Sequence, residues 1–270
     1  MATGDLPTMP HVANLVIQKL SDPKTSANEI HRMISNDQAL AARVLRIANS
    51  PFYGYPRTIT RLSDAVMVMG FHQIRSLVLT SVFNDLFKSS GLAERLLWEH
   101  SLVCAFISQR LAKSVGSAKV EEAFLVGLMH DIGKVVLNLR VPEKMSPILQ
   151  EVYNSQDTTF SKLEEETFGF THADVGRAIA RKWNFAKEIE EAIGNHHCPE
   201  ESVILPPLSF IVNLANAFCH KLEIGPIKNR DLNLLEVESV KSLKLDPQMV
   251  NALFDQVSGA LKSQQAISLF

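Results

Sequence analysis

The 270-residue chain carries nine histidines, and five of them fall where a helical pattern turns them inward or sets them at a helix end. His100 lies on the stripe Leu96, His100, Val103, Ile107 and Leu111, whose three- and four-residue steps mark one face of a helix. Asp131 lies on a similar stripe, Phe124, Leu128, Asp131 and Val135. A carboxylate facing a core is costly unless it meets a cation or several donors. His130 precedes it, about 100° round the helix, so one ion between the two side chains could be held by both. His172 follows Thr171, which with Asp174 has the form of a helix cap and capping box. His196 extends the stripe Ile189, Ala192, Ile193, and His197 stands beside it just before Pro199. One shared metal would account for the inward Asp131 and for all five histidines. Imidazole nitrogens with one carboxylate suit a divalent transition metal (Fe, Mn, Zn, Ni or Co) better than Ca or an oxygen-ligated Mg. Lys134, one turn after His130, either faces solvent or brings an ammonium to a phosphate drawn to the metal. His11, His31, His72 and His220 stand alone and read as ordinary surface or helix positions.

The elements that must position these residues are helices. Apolar residues recur at three- and four-residue steps, as in Leu40, Val44, Ile47 and in Val175, Ile179, Trp183. Gly and Pro, 12 each, are fewer than usual, which favours long uninterrupted elements. The pattern predicts an all-α chain of twelve or so helices with no sheet. Lys88-Ser89-Ser90-Gly91 interrupts two apolar helices, so the expected parts are an N-terminal bundle over 1–90, a metal-site bundle over 91–225 and a C-terminal helical extension over 226–270. Leu243, Val250, Leu253, Phe254, Val257 and Leu261 would pack that extension on the body or in a dimer contact. Glu164, Glu165 and Glu166 read as a solvated helix face. Asn49-Ser50-Pro51 reads as a helix stop, with Asn49 tolerant of the left-handed conformation and Phe52 and Tyr53 packed beside it.

Lys and Arg number 27 against 29 Asp and Glu, a net charge of -2, so the totals carry no footprint for nucleic acid. Cys104, Cys198 and Cys219 are too few and too scattered for a disulfide framework, which suits a reducing compartment. No run reaches the roughly 18 apolar residues of a membrane span, and the first residues lack the basic and apolar regions of a signal peptide. A cytoplasmic protein is the expectation.

At these residues the sequence resembles the HD superfamily of metal-dependent phosphohydrolases, whose pattern is a His, a His-Asp pair and a distant Asp on a helical bundle. His100 and His130-Asp131 match the first parts, and His130-Asp131-Ile132-Gly133-Lys134 is spelled as in the HD-GYP cyclic di-GMP phosphodiesterases. Those enzymes add a His and a His-His pair for a second metal, matched by His172 and His196-His197. The last Asp has its best counterpart at Leu214-Ala215-Asn216, where the carboxylate is an amide. Cys198-Pro199-Glu200-Glu201 stands where the Gly-Tyr-Pro phrase is absent. The first half is similar to the HDOD domain, the HD-related output domain of bacterial signalling proteins. Leu6-Pro7-Thr8-Met9-Pro10, Asn36-Asp37-Gln38-Ala39-Leu40, Leu45 to Ser50 and Ala65 to Gly70 carry that likeness, which covers about 6–220.

The resemblance implies an N-terminal helical bundle packed on an HD-like helical bundle, with His100, His130, Asp131, His172, His196, His197 and Asn216 around the metal. It implies a regulatory role beside sensor, receiver or cyclase partners, with a homodimer open, no nucleic acid and no membrane. With Asn216 in place of a carboxylate, one ion is expected rather than two. The alternative is a phosphohydrolase acting on a nucleotide or cyclic dinucleotide, in which Asp131 and Lys134 would serve catalysis.

Overall fold

A computed structural model describes Leu15, Gln18, Lys19 and residues 25–35, 38–49, 56–84, 91–155 and 158–262. The segments Leu6 to Pro10 and Asn36-Asp37, the stretch Ser50 to Tyr53, His11, the side chain of His72 and the Lys88 to Ser90 interruption lie outside the described residues. Among the described residues the chain is all-α, with thirteen α-helices and no strand. No helix among them is long and apolar enough to cross a membrane. The described residues fall into two compact units, 91–255 in one and 25–84 with 256–262 in the other.

In the unit that holds residues 25–84, α1 (Ala27–Ser35), α2 (Gln38–Ala48) and α3 (Leu62–Asn84) pack on one another. Ile30 and Ile34, then Leu40, Val44 and Ile47, then Ala65, Ile74, Leu77 and Val78 are buried, which is the helical periodicity of the sequence made into a core. Asn49 closes α2 differently from the expectation, without a positive φ. Its amide donates to the carbonyls of Leu45 and Ile59 and its oxygen accepts from the Ile59 N–H at 2.7 Å, so it ties the helix end to the returning chain. Gly70, at φ 77 and ψ 169, breaks α3 at a conformation that side chains disfavour.

The other unit holds α4 (Leu92–Ser114), α5 (Val120–Met129), α6 (Ile132–Arg140), α7 (Pro142–Asn154), α8 (Phe160–Phe168), α9 (His172–Lys182), α10 (Lys187–Gly194), α11 (Pro206–Lys221) and the short α12 (Glu238–Ser242). Helix α4 is the spine: it lies against α5 and α11, and fifteen of its residues are buried. The stripe through Asp131 is two helices rather than one, because α5 ends at Met129 and Asp131, at φ -99 and ψ 10, caps the start of α6. Thr171 and Asp174 form the capping box that starts α9. The helix α13 (Pro247–Lys262) begins in this unit, where Phe254 meets Phe218 of α11 with ring centroids 6.1 Å apart. Ser239 of α12 also donates to Asn213 of α11 at 2.7 Å.

Candidate metal centre

Six of the residues singled out by type and spacing come together from four helix ends and one helix face. His100 comes from the middle of α4, His130 and Asp131 from the α5–α6 junction, His172 from the first position of α9, and His196 and His197 from the turn after α10. Asp131 is the hub. Its Oδ2 lies 3.6 Å from His100 Nε2 and 3.5 Å from His130 Nε2, while its Oδ1 lies 3.3 Å from His172 Nε2 and 3.8 Å from His196 Nε2. His197 Nε2 is 2.9 Å from His172 Nε2. Two donor groups result, His100 with His130 and Asp131, and His172 with His196 and His197. All are buried except His197, which is exposed.

What holds the rings explains why their inner nitrogens are free. His100 Nδ1 donates to the Ile224 carbonyl at 3.0 Å, His130 Nδ1 to the Gly127 carbonyl at 2.8 Å and His196 Nδ1 to the Ile193 carbonyl at 2.7 Å. His172 Nδ1 donates to Glu164 Oε2 at 2.6 Å. These bonds assign the ring protons to Nδ1 and turn every Nε2 lone pair toward the interior. Nε2 atoms then face each other at 3.2 Å (His100 and His130) and 3.4 Å (His172 and His196). Lone pairs at that distance repel unless a cation lies among them. Asp131 Oδ1 is in addition buried with no hydrogen-bond partner. The donor set fits a divalent transition metal.

Without an ion, protons and Lys134 carry the compensation. Burial works against the Asp131 charge, but His130, Lys134 and His172 offset it and hold the carboxyl well below its usual range. Burial also opposes charge on His130, yet Asp131 and Cys104 outweigh it and push the imidazole up to about 9. Burial keeps His100 and His196 below the ordinary histidine value. Lys134 does not face solvent: it is buried, its Nζ lies 2.8 Å from Asp131 Oδ2, and the same ammonium stands 4.3 Å over the Phe160 ring.

Asn216 is buried in α11 and its Oδ1 has no partner. It lies one turn before His220, whose ring stacks on His100 at 5.9 Å. His220 is thus no ordinary surface position; burial and the neighbouring His100 push it down to about 3.

The acidic trio needs a correction. Glu165 and Glu166 are exposed, but Glu164 is fully buried and accepts from both the backbone N–H and the Nδ1 of His172. A signal was available, because Glu164 lies four residues after the buried Phe160 and shares its helix face. Two glycines make close approaches. A methyl group on Gly133 would collide with the His172 carbonyl, so the first turn of α6 can press on the start of α9 only with glycine there. Gly225, at φ +97, lies against the His100 ring, and this turn presents the Ile224 carbonyl to it.

A helical bundle that gathers a His, a His-Asp pair, a further His and a His-His pair around one aspartate defines an HD-type centre. The HDOD domain family model matches residues 6–199, and the chain belongs to the HDOD family. Among solved structures, an HDOD domain protein of unknown function from Geobacter sulfurreducens is 28% identical, with a TM-score of 0.77 over 97% of this chain and 87% of that one. A protein provisionally named for signal transduction from Marinobacter aquaeolei VT8 matches with a TM-score of 0.79 at 19% identity, over 97% of this chain and 60% of that one. One provisionally named a metal-dependent phosphohydrolase from Shewanella amazonensis SB2B matches with 0.67 at 21% identity, over 95% and 92%. At those identities the last two speak to the fold. An uncharacterized protein of Treponema pallidum (strain Nichols) is 24% identical over 260 residues, which is 93% of this chain and 50% of that one. The chain spans about half the length of two curated relatives that it matches.

Proposed function

We propose that this chain is a regulatory HDOD module of bacterial signal transduction, whose helical body holds one divalent transition metal on Asp131 Oδ1, His172, His196 and His197. One observation carries the reading: the two oxygens of Asp131 are provided for differently. Oδ1 is buried without a hydrogen bond, 3.3 Å from His172 Nε2 and 3.8 Å from His196 Nε2, whereas Oδ2 takes the Lys134 ammonium at 2.8 Å. On the Oδ2 side, the position that would supply a second carboxylate is the neutral Asn216, a weak ligand that cannot offset a dication. The metal would supply Lewis acidity and cross-linking of three chain segments. Glu164 orients His172, the Ile193 carbonyl orients His196, and Lys134 keeps the unused oxygen neutralised. The output would be a helical surface offered to a sensor, receiver or cyclase partner.

A second reading, metal-dependent phosphodiester hydrolysis, is favoured by the frame around Asp131, since imidazole nitrogens flank both of its oxygens as two ions would require. Lys134 would then leave Asp131 to steady the phosphate. Elemental analysis of protein purified without chelator, with hydrolysis assays on cyclic di-GMP and a generic phosphodiester, separates the two. The regulatory reading expects about one ion per chain and background turnover. Robust turnover by the natural protein, lost in Asp131→Ala, overturns it.

A further inference from the structure

The unit that carries the metal centre also holds a cavity of about 620 Å³, bounded by the first turns of α4, the end of α6, one face of α7 and Pro226. That volume is in the range of small-molecule sites, ~300–1,000 Å³. Its walls are largely apolar: Leu92, Leu96, Leu139, Leu149 and Tyr153. Leu92, Leu139 and Tyr153 are exposed at 69%, 49% and 47%, an unusual concentration of large apolar surface around one opening. Set into these walls is a single carboxylate. Glu94 is 9% exposed, and its Oε1 accepts from Asn138 Nδ2 at 2.8 Å. Its Oε2 lies over the bare Cα of Gly91, where a methyl group would collide with it.

Among the described residues no lysine, arginine or histidine pairs with Glu94. Lys228 lies against the wall residue Tyr153, its Nζ 3.3 Å from the hydroxyl and 4.7 Å over the ring rather than on Glu94. The N-terminus of α4 favours negative charge in its first turn, but it donates no hydrogen bond to Glu94. A carboxylate nine-tenths buried with one neutral donor is under-compensated, and the group that would complete it is a cation with N–H donors.

We propose that this cavity binds a small organic ammonium with an apolar body, its charged head on Glu94 and its body against Leu96, Leu139 and Leu149. The surrounding segments are shared with the metal centre. Helix α4 carries Glu94 and His100, α6 starts at Asp131 and reaches Asn138, and the turn before Pro226 gives the Ile224 carbonyl to His100. A ligand here sits on the elements that set the Oδ2 half of the centre, as an input to the regulatory module proposed above. Its binding and the metal content are nevertheless read by separate measurements, so either idea can fail alone.

The test is titration calorimetry on the full chain with 4-phenylbutylammonium, matched against 4-phenylbutanol and 4-phenylbutyrate. The expected result is saturable one-to-one binding of the ammonium, at least tenfold tighter than either control. Glu94→Gln, which keeps the shape and the Asn138 bond, should weaken it at least tenfold. Ser146→Trp, at an exposed α7 position lining the cavity, should block it. Circular dichroism and metal content should match the natural protein in both variants. Absence of saturable binding, equal binding of all three compounds, or ammonium binding indifferent to both substitutions overturns the proposal. Binding only of a lysine-bearing helical peptide, with none of the small cation, overturns it too.

Discussion

The two halves of the centre share one aspartate and differ in almost everything else. On the Oδ1 side three imidazoles converge, one of them braced by a buried glutamate and one open to solvent. On the Oδ2 side two imidazoles converge, an ammonium holds the shared carboxylate, and a buried amide with an unpartnered oxygen stands in the neighbouring helix. Charge decides the contrast. A dication needs anionic or strongly basic donors to leave water, and the first half offers a carboxylate oxygen with nothing else bound to it. Ligand count alone would have ranked the halves as near equals; the contacts of the shared oxygen atoms separate them.

The comparison breaks most completely if its hub is removed. Asp131→Ala should abolish metal binding in both halves and leave Lys134 buried without its partner, a loss of ~3–5 kcal/mol. Thermal melting should fall by roughly 10 °C, in line with the usual relation for chains of this size. A melt within a degree or two of the natural protein would show that Asp131 is not the hub.

Glu164→Gln acts on one half only. It keeps the volume but removes the anion that holds the His172 ring in place through Nδ1, so affinity of the first ion should drop about 10–100-fold. Competition with a chromophoric chelator measures it, and an unchanged affinity would place the ion elsewhere. Asn216→Asp acts on the other half: occupancy should rise from about one ion per chain toward two, read by elemental analysis, and unchanged occupancy would remove Asn216 from the account.

The smallest effect is on pH dependence after chelation. His100, His196, His197 and His220 have folded values below the ordinary 6.5, so the unfolded chain binds more protons below that pH. Their contribution is fully present above 6.5 and is lost as the pH falls. His130, raised to about 9, works the other way, present below 6.5 and lost progressively as the pH rises to about 9. Stability of the metal-free protein should therefore peak near pH 6.5 and fall more steeply on the acid side, where four groups act against one. Melts between about pH 5 and pH 9 would show a flat profile if the histidines were not buried as described.

Much of this was legible in the sequence, for physical reasons that differ between residues. The helical class followed from periodicity, and the histidines were visible because a basic ring or a carboxylate on an apolar stripe needs an explanation. The break at His130-Asp131 was hidden, since a one-residue interruption leaves the period of Phe124, Leu128 and Val135 nearly unchanged. Glu164 was hidden by its neighbours, because three consecutive glutamates look like a solvated face until Phe160 fixes which of them turns inward. His220 was hidden because its partner, His100, lies 120 residues away and only the fold brings them together. The state of Lys134 was open, as spacing gives a direction along the helix and not the atom at the end of the side chain.

The acceptors that aim the rings have a consequence for inheritance. Three of the four belong to the main chain, the carbonyls of Gly127, Ile193 and Ile224. No codon change can delete a carbonyl, so the aim of His100, His130 and His196 resists genetic drift as long as the helices keep their paths. Only His172 depends on an encoded side chain, Glu164. A lineage could therefore exchange one ligand, as proposed for Asn216, while the remaining rings stay pointed at the same spot. Exchange of a ligand and loss of architecture are uncoupled, because a substitution at one ring leaves the acceptors that aim the others in place.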